Sequence, residues 1–515
     1  MRILKWAAVG VALVVVLSLG ALWSWGQFAQ RAVGAASQAL PAAAADTRLD
    51  RQVAPWLAER PAQTGATLIT DNLQAFAARA VTAREAERSI DVQYYLWHDD
   101  LTGRLLKDAL LSAAERGVRV RMLIDDMNGL DLDESLLAMD AHPMLEVRLF
   151  NPARNRDTAW RRALEMGLRF VSFNRRMHNK SWTVDGRVTL VGGRNIGDEY
   201  FDAADVNFHD ADLFMVGPAV AQTSEIFDTF WNSAAVIPLA ALHERAPDID
   251  LAAARAAWRA AGAGTVYQQA MQDPANQTAQ RLAGQAWRWV TDLRVLSDPP
   301  EKASAVATRR APENWLLFDI LQKMFSTRHE LRLISPYFVP GTTGTLLFTG
   351  MATRGVDVGI LTNSLAANDV PAVHAGYQAY RAPLLAAGVQ LWELKPGARS
   401  ADDKLTGSSG ASLHTKAFVI DQARGFVGSF NFDPRSASLN TEMGVMFEDP
   451  GLAADVARMF TAARATSYAV SQTADGALRW TDVGGTQTWR HDPETSVFKR
   501  ALARVIGWLP IESQL

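Results

Sequence analysis

At 515 residues the chain is longer than one hydrophobic core supports, so two or three domains are expected. An apolar fraction of 48% and a charged fraction of 21% exclude intrinsic disorder, and a formal charge of -3 excludes a surface built to coat nucleic acid, though not a local basic pocket. With no cysteine, disulfides, thiol catalysis and Cys-ligated zinc are excluded as well.

Arg2 and Lys5 precede an apolar run from Trp6 to Trp25, broken only by Gly10, Ser18, Gly20 and Ser24. About 20 such residues cross a hydrocarbon core as a helix. Cations ahead of the run predict the N-terminus inside and the remainder outside. Residues 1–26 are therefore expected to be a transmembrane anchor or uncleaved signal, with the body on the outer, periplasmic side of the cytoplasmic membrane. A cleaved signal peptide is the rival, because residues 40–45 offer A-x-A-like sites. Those sites lie well past the end of the run, which favours retention. Residues 27–60, Ala- and Gln-rich at their start, read as a linker.

Residues 61–237 alternate strand and helix. Residues 89–97 (SIDVQYYLW) are β-branched and aromatic, 101–116 carry apolar residues at helical spacing, and 118–124 and 145–150 are short apolar strands. Such βαβ alternation implies a mostly parallel sheet covered by helices. Next come His178-Asn179-Lys180 and Asp185, an HxKxxxxD pattern, and after a further six residues Gly192-Gly193-Arg194-Asn195.

Residues 238–312, rich in Ala, Gln and Arg, are expected to be a helical insertion or linker. Residues 313–470 then repeat the first scheme. Residues 331–339 (LRLISPYFV) match the first strand down to an aromatic pair, Tyr337-Phe338 beside Tyr94-Tyr95, and a helix at 345–354 precedes strands at 356–361 and 389–394. HxKxxxxD returns as His414-Thr415-Lys416 with Asp421, 236 residues after the first, again followed after six residues by Gly428-Ser429-Phe430-Asn431. The chain reads as a duplicated domain. In the tail, 471–515, a helix over 496–509 places Phe498, Leu502, Val505, Ile506 and Leu509 on one face, with Lys499, Arg500 and Arg504 beside it. That suits either a membrane interface or packing on the core.

Face to face, the two patterns supply two imidazoles, two ammonium groups and two amides. Residues i and i+2 of a strand point the same way, so each histidine is expected to project with its lysine. The set suits phosphodiester chemistry with no metal or other cofactor. Lys180, Lys416, Asn195 and Asn431 neutralise phosphoryl oxygens, and the turns at Gly193 and Ser429 let backbone approach the anion. One histidine attacks phosphorus while the other protonates the departing alkoxide. A carboxylate on the second ring nitrogen fixes the tautomer. Aligning the repeats by their shared ends, Asp210…Gly217-Pro218 and Glu442…Asp449-Pro450, nominates Asp210 and Glu442, with Asp212 a rival for the first. Asp185 and Asp421 are either catalytic members of the pattern or structural residues at the turn. His374 and Tyr377 either line a head-group pocket or form a packed surface pair. His98, His209 and the cluster Tyr94, Tyr95 and Trp97 are read as structural.

The paired HxKxxxxD(x6)G[GS]xN resembles the signature of the phospholipase D superfamily over about residues 61–470. Residues 89–97, 177–198, 361–377 and Pro510-Ile511-Glu512 are similar to its class C bacterial cardiolipin synthases. The resemblance implies an α/β fold of two pseudo-symmetric domains, each a mixed sheet flanked by helices, facing each other across one active site. It implies a metal-independent enzyme of the bacterial inner membrane, with a phosphohistidine on His178 and His414 as acid/base. The implied substrates are a phosphatidylglycerol acceptor and a phosphatidylglycerol or phosphatidylethanolamine donor, joined into cardiolipin. The alternatives are a phospholipase D-type hydrolase releasing phosphatidic acid, or a nuclease or other phosphodiesterase, which the net acidity and the anchor disfavour.

Overall fold

A computed structural model describes residues 10–20, 34–43, 46–127, 133–154, 159–243, 249–278, 287–303, 315–368, 370–397 and 410–509, with Trp6, Arg156, 280–281 and 511–514. The apolar run at 6–25 falls partly outside the described residues. Residues 10–20 are helical and exposed, and among the described residues no helix is long and apolar enough to cross a membrane.

The first half contributes β1 (Thr64–Ile69), β2 (Ser89–Tyr94), β3 (Arg119–Asp125), β4 (Leu145–Phe150), β5 (Ser181–Val184), β6 (Val188–Gly192), β7 (Val206–His209), β8 (Asp212–Val216), β9 (Val236–Pro238) and β10 (Arg288–Val290). The second contributes β11 (Asp292–Ser297), β12 (Glu330–Ile334), β13 (Asp357–Asn363), β14 (Gln390–Leu394), β15 (Gly410–Leu413), β16 (Lys416–Ile420), β17 (Arg424–Gly428), β18 (Met443–Glu448), β19 (Ser467–Gln472), β20 (Leu478–Asp482) and β21 (Thr488–Trp489). The sheets match strand for strand. The first runs β1-β8-β6-β5-β2-β3-β4-β9 and the second β11-β18-β17-β16-β12-β13-β14-β19, with β10 added outside β1 and β20-β21 beyond β19.

Within these two sheets, among the described residues, only β2-β3-β4 and β12-β13-β14 pair parallel, so each sheet is mixed rather than mostly parallel. The cause is local. Each HxK pattern feeds a tight hairpin, β5–β6 or β16–β17, turned at Asp185-Gly186 or Asp421-Gln422, and all four residues have positive φ. Such left-handed turns match the twist of paired strands and return the chain antiparallel.

Alternate residues of the central strands serve different cores. Leu190 and Trp182 face the core of the first half and Phe418 that of the second, while Val191, Leu213, Ala417, Val419 and Val445 form a third cluster joining the two sheets. Each such fully buried Val or Leu contributes about 1.5–3 kcal/mol of apolar transfer, so the halves are held as one body by a core of their own.

Three expected boundaries shift. Residues 27–60 are not a free linker where they are described: Ser37 N donates to Asn232 Oδ1 (3.0 Å), Ala39 N to Asp228 Oδ2 (2.8 Å), and Arg148 donates to Ala35 O (2.6 Å), with helix Arg48–Ala58 following. The small residues that made this stretch look loose are what let its backbone lie close against the first half. The 238–312 region is helical in part, at Leu251–Gly262 and Val266–Gln272, yet its end supplies β10 to one sheet and β11 to the other. The second half therefore begins by residue 292 rather than 313. Likewise β20 and β21 extend the second sheet into the 471–515 tail.

Candidate active site

The two HxK segments meet at the seam and exchange backbone partners. His178 N donates to Thr441 O (2.8 Å), and His414 N donates to His209 O (2.8 Å). β7 also pairs with β15 across the seam, Leu413 opposite His209. Each accepting carbonyl belongs to the residue just before a carboxylate. The exchange therefore fixes which acid faces which imidazole: His178 Nδ1 lies 2.7 Å from Glu442 Oε2, and His414 Nδ1 lies 2.6 Å from Asp210 Oδ2. Both of these pairs cross between halves, which alignment of the repeats alone does not reveal.

The two carboxylates are held differently. Ser429 Oγ donates to Glu442 Oε2 and Ser436 Oγ to Glu442 Oε1 (2.8 Å). Asp210 Oδ1 accepts from Ala211 N (2.8 Å), and a Cβ at Gly193 would stand 2.2 Å from that same oxygen. So glycine in the first turn admits the shorter acid, whereas serine in the second bonds to the longer one. Lys180 Nζ donates to His178 O (2.6 Å) and Lys416 Nζ to His414 O, which places each ammonium beside its own histidine although neither histidine lies within a strand. Rings pack on both imidazoles: Tyr95 edge-on to His178 (4.9 Å), Tyr200 edge-on to His414 (5.2 Å), and Phe208 stacked on His414 (5.0 Å).

Burial sets the electrostatics. His178 is pushed well below the ordinary imidazole value by desolvation, then by Lys180 and Lys416. Desolvation and Lys416 lower His414 as well, but Asp210 opposes them. Burial alone would raise Asp210, yet His414 and Lys416 hold it below the usual carboxylate range. Glu442 is raised, because there burial outweighs Lys180 and the serine hydroxyls. Burial also brings Lys180 well below the usual ammonium value. An arriving phosphodiester anion opposes that lowering and favours the charged form.

Other expected residues lie elsewhere. Asp185 accepts from the amides of Glu87, Arg88 (2.8 Å) and Ser89 (2.9 Å), and Asp421 from those of Arg328, His329 (2.8 Å) and Glu330 (3.0 Å). Each sits at the far end of its strand, about 15 Å from the lysine, and anchors the start of β2 or β12 instead of joining the site. Asp212, the rival carboxylate, is consumed by Arg79 (2.9 Å) and Arg194 (3.3 Å). Asn195 Nδ2 donates to Tyr200 Oη (2.8 Å) and its Oδ1 accepts from Leu96 N (3.2 Å), so it positions the ring on His414. Asn431 Oδ1 is buried with no hydrogen-bond partner among the described residues.

His374 and Tyr377 are not a surface pair. Both are buried, with His374 Nε2 near Arg381 (2.7 Å) and Asp492 (3.3 Å). Tyr94 and Trp97 are core, but Tyr95, one residue on, belongs to the site. Sequence reading also missed Ser436, Tyr200 and Phe208, none of which lies inside a motif. His98, Asp100 and Glu199 form a potential metal-ligand group among the described residues. Asp100 already accepts from Gly103 N and Asp198 N, and Glu199 faces His98 Nδ1 at 3.2 Å.

A family model described as cardiolipin synthase, PLD-like domain, matches residues 81–231 and 320–464, one match in each half. Cardiolipin synthase C of Escherichia coli is 42% identical over 480 residues, covering 90% of this chain and 99% of that protein. The chain belongs to this family. Another member, cardiolipin synthase 2 of Staphylococcus epidermidis, is 27% identical over 76% of this chain and 67% of its own length. The fold is shared with phosphatidylserine synthase of Haemophilus influenzae Rd KW20, at a TM-score of 0.57 and 14% identity, over 90% of this chain and 99% of that one. Membership of the cardiolipin synthase family makes the chain an enzyme of the phospholipase D type, a phosphatidyltransferase.

Proposed function

We propose that the protein joins two phospholipids into cardiolipin through a phosphatidyl group carried on His178. The observation that carries this reading is the crossed pairing: each imidazole is held by a carboxylate of the opposite half, so two motifs make one site. His178 Nε2 attacks the phosphorus of the donor, a phosphatidylglycerol or phosphatidylethanolamine, and forms the P–N bond. The P–O bond to the head-group alcohol breaks as His414 Nε2 gives that alkoxide its proton. The head-group alcohol leaves, and a glycerol hydroxyl of phosphatidylglycerol enters. Now neutral, His414 takes the hydroxyl proton while the new P–O bond forms and the P–N bond breaks, returning both histidines to their starting states. Lys180, Lys416 and Asn431 face the charge that develops on the phosphoryl oxygens.

The electrostatics support this division of roles. A nucleophile must be neutral and an acid must be protonated. Burial lowers both imidazoles, His178 well below its ordinary value, whereas at His414 the neighbouring Asp210 opposes the lowering and so favours the protonated form. We place the body on the outer side of the cytoplasmic membrane, with the 6–25 run as anchor; Arg2 and Lys5 ahead of that run support this orientation. Product analysis with two differently labelled phospholipids tests the function. Cardiolipin bearing both labels is expected. Phosphatidic acid as the sole product would make the enzyme a hydrolase using water as acceptor.

A further inference from the structure

The C-terminal helix, Val497–Ile506, packs by its small side. Ala503 is fully buried and Ile506 joins it against Leu365 and Ala375 of the second half. Its large apolar side chains point away: Val497, Phe498, Leu502, Val505, Trp508 and Leu509 are 41–77% exposed. At 3.6 residues per turn, Phe498, Leu502, Val505 and Leu509 fall on one stripe roughly opposite Ala503. Exposed apolar side chains gathered on one face in this way mark an interaction site, unlike those scattered singly over a surface.

The stripe is tied to the active site. Just beyond the helix, Glu512 accepts from Tyr380 Oη (2.6 Å), and Gln514 Oε1 accepts from Asn174 Nδ2 (2.8 Å). Asn174 lies four residues before His178 and also accepts from Arg435, the neighbour of Ser436 that bonds to Glu442. On the segment leading to His178, helix Ala159–Leu168 exposes a second apolar row, Trp160, Leu164 and Leu168.

We propose that the C-terminal stripe docks on the surface of an anionic phospholipid bilayer and holds the His178 side of the site at head-group level. Arg504 and Lys499 flank the exposed side chains on either side, Lys499 also reaching Ala366 O (3.3 Å), so the edge of the face is cationic and complements lipid phosphates, while Trp508 suits the interface. A second copy docking by the same face would offer these cations no acidic partner from its own helix, since Val497–Ile506 contains none. The inference rests on the reading that the substrates are membrane phospholipids.

The chain has no cysteine, so Val505→Cys in the full chain takes a single environment-sensitive fluorophore, with Ala261→Cys as the exposed control. On reconstitution into phosphatidylglycerol/phosphatidylethanolamine vesicles, the label at 505 should shift to the blue and lose at least about threefold of its quenching by aqueous iodide, while the control does not change. Equal quenching with and without vesicles would overturn the proposal. So would shielding already present in dilute detergent together with a dimer by light scattering, because a second copy would then cover the face. Phe498→Ser/Trp508→Ser should lose about tenfold in turnover on vesicles and none on detergent-dispersed lipid; equal loss in both would also overturn it. Insertion of the label by an enzyme that makes no phospholipid product would sink the proposed function and leave the docking face standing.

Discussion

Asp210→Asn keeps the size of the side chain and removes its charge. Its Oδ2 lies 2.6 Å from His414 Nδ1, while Oδ1 is committed to Ala211 N. The amide oxygen of asparagine takes the Ala211 bond, which turns the NH2 group toward Nδ1. His414 is then fixed with its proton on Nε2, and the stabilised imidazolium is lost. General acid–base catalysis contributes about 10²–10⁴-fold, so turnover of a natural donor should fall by that factor, about 3–5 kcal/mol in barrier. His414 must be protonated to act as the acid, so activity is lost as pH rises through its pKa. Burial and Lys416 already lower that value and Asp210 opposes them; the alkaline limb of the variant therefore moves to lower pH. A p-nitrophenyl phosphodiester donor needs no protonation on leaving. With it, stopped-flow release of nitrophenol should show a burst within about tenfold of wild type, followed by slow turnover as phosphoenzyme accumulates. Equal damage to natural and activated donors, or natural turnover within about threefold of wild type, would refute the assignment of Asp210 to the acid/base.

His178→Ala, His414→Ala and the double variant should be about equally inactive, because they disable one unit; substantial turnover by either single variant would mean two independent sites. Gly193→Ala puts a methyl 2.2 Å from Asp210 Oδ1 and should cost at least about tenfold in kcat without altering the midpoint of thermal unfolding by more than a few degrees. Asp185→Asn weakens charge-assisted bonds to three backbone amides and should cost about 1–3 kcal/mol of stability in denaturant titration, with kcat nearly unchanged. Exhaustive chelation should leave turnover of detergent-dispersed lipid intact, since the positive charge at the site comes from Lys180 and Lys416; loss restored by one added divalent ion would contradict this.

The duplication was readable because it is written in local order: βαβ spacing, two HxKxxxxD patterns and two small-residue turns. The lysines, the histidines and both orienting acids could be nominated from that order. What could not be read was which acid serves which histidine, because that depends on Thr441 and His209 carbonyls brought over from the opposite half. Asp185 and Asp421 stay ambiguous in the sequence for the opposite reason. They recur with the motif, yet their work is to bind amides at the start of β2 and β12. Tyr95, Tyr200, Phe208 and Ser436 carry no motif and come to the site only when the sheets close on each other. The boundary near residue 312 was missed because β11 joins its sheet by register with β18, about 150 residues further along the chain, a pairing that leaves no local periodicity.

The proposed phosphatidyl carrier of the single site is His178. This role is tested most directly by quenching the His414→Ala enzyme after mixing it with phosphatidyl-p-nitrophenol and mapping the modified peptide by mass spectrometry under alkaline conditions that preserve phosphohistidine. The phosphatidyl mass should appear on the peptide containing His178. Its absence from every peptide, or its appearance in the converse His178→Ala enzyme on the peptide containing His414, would contradict the account.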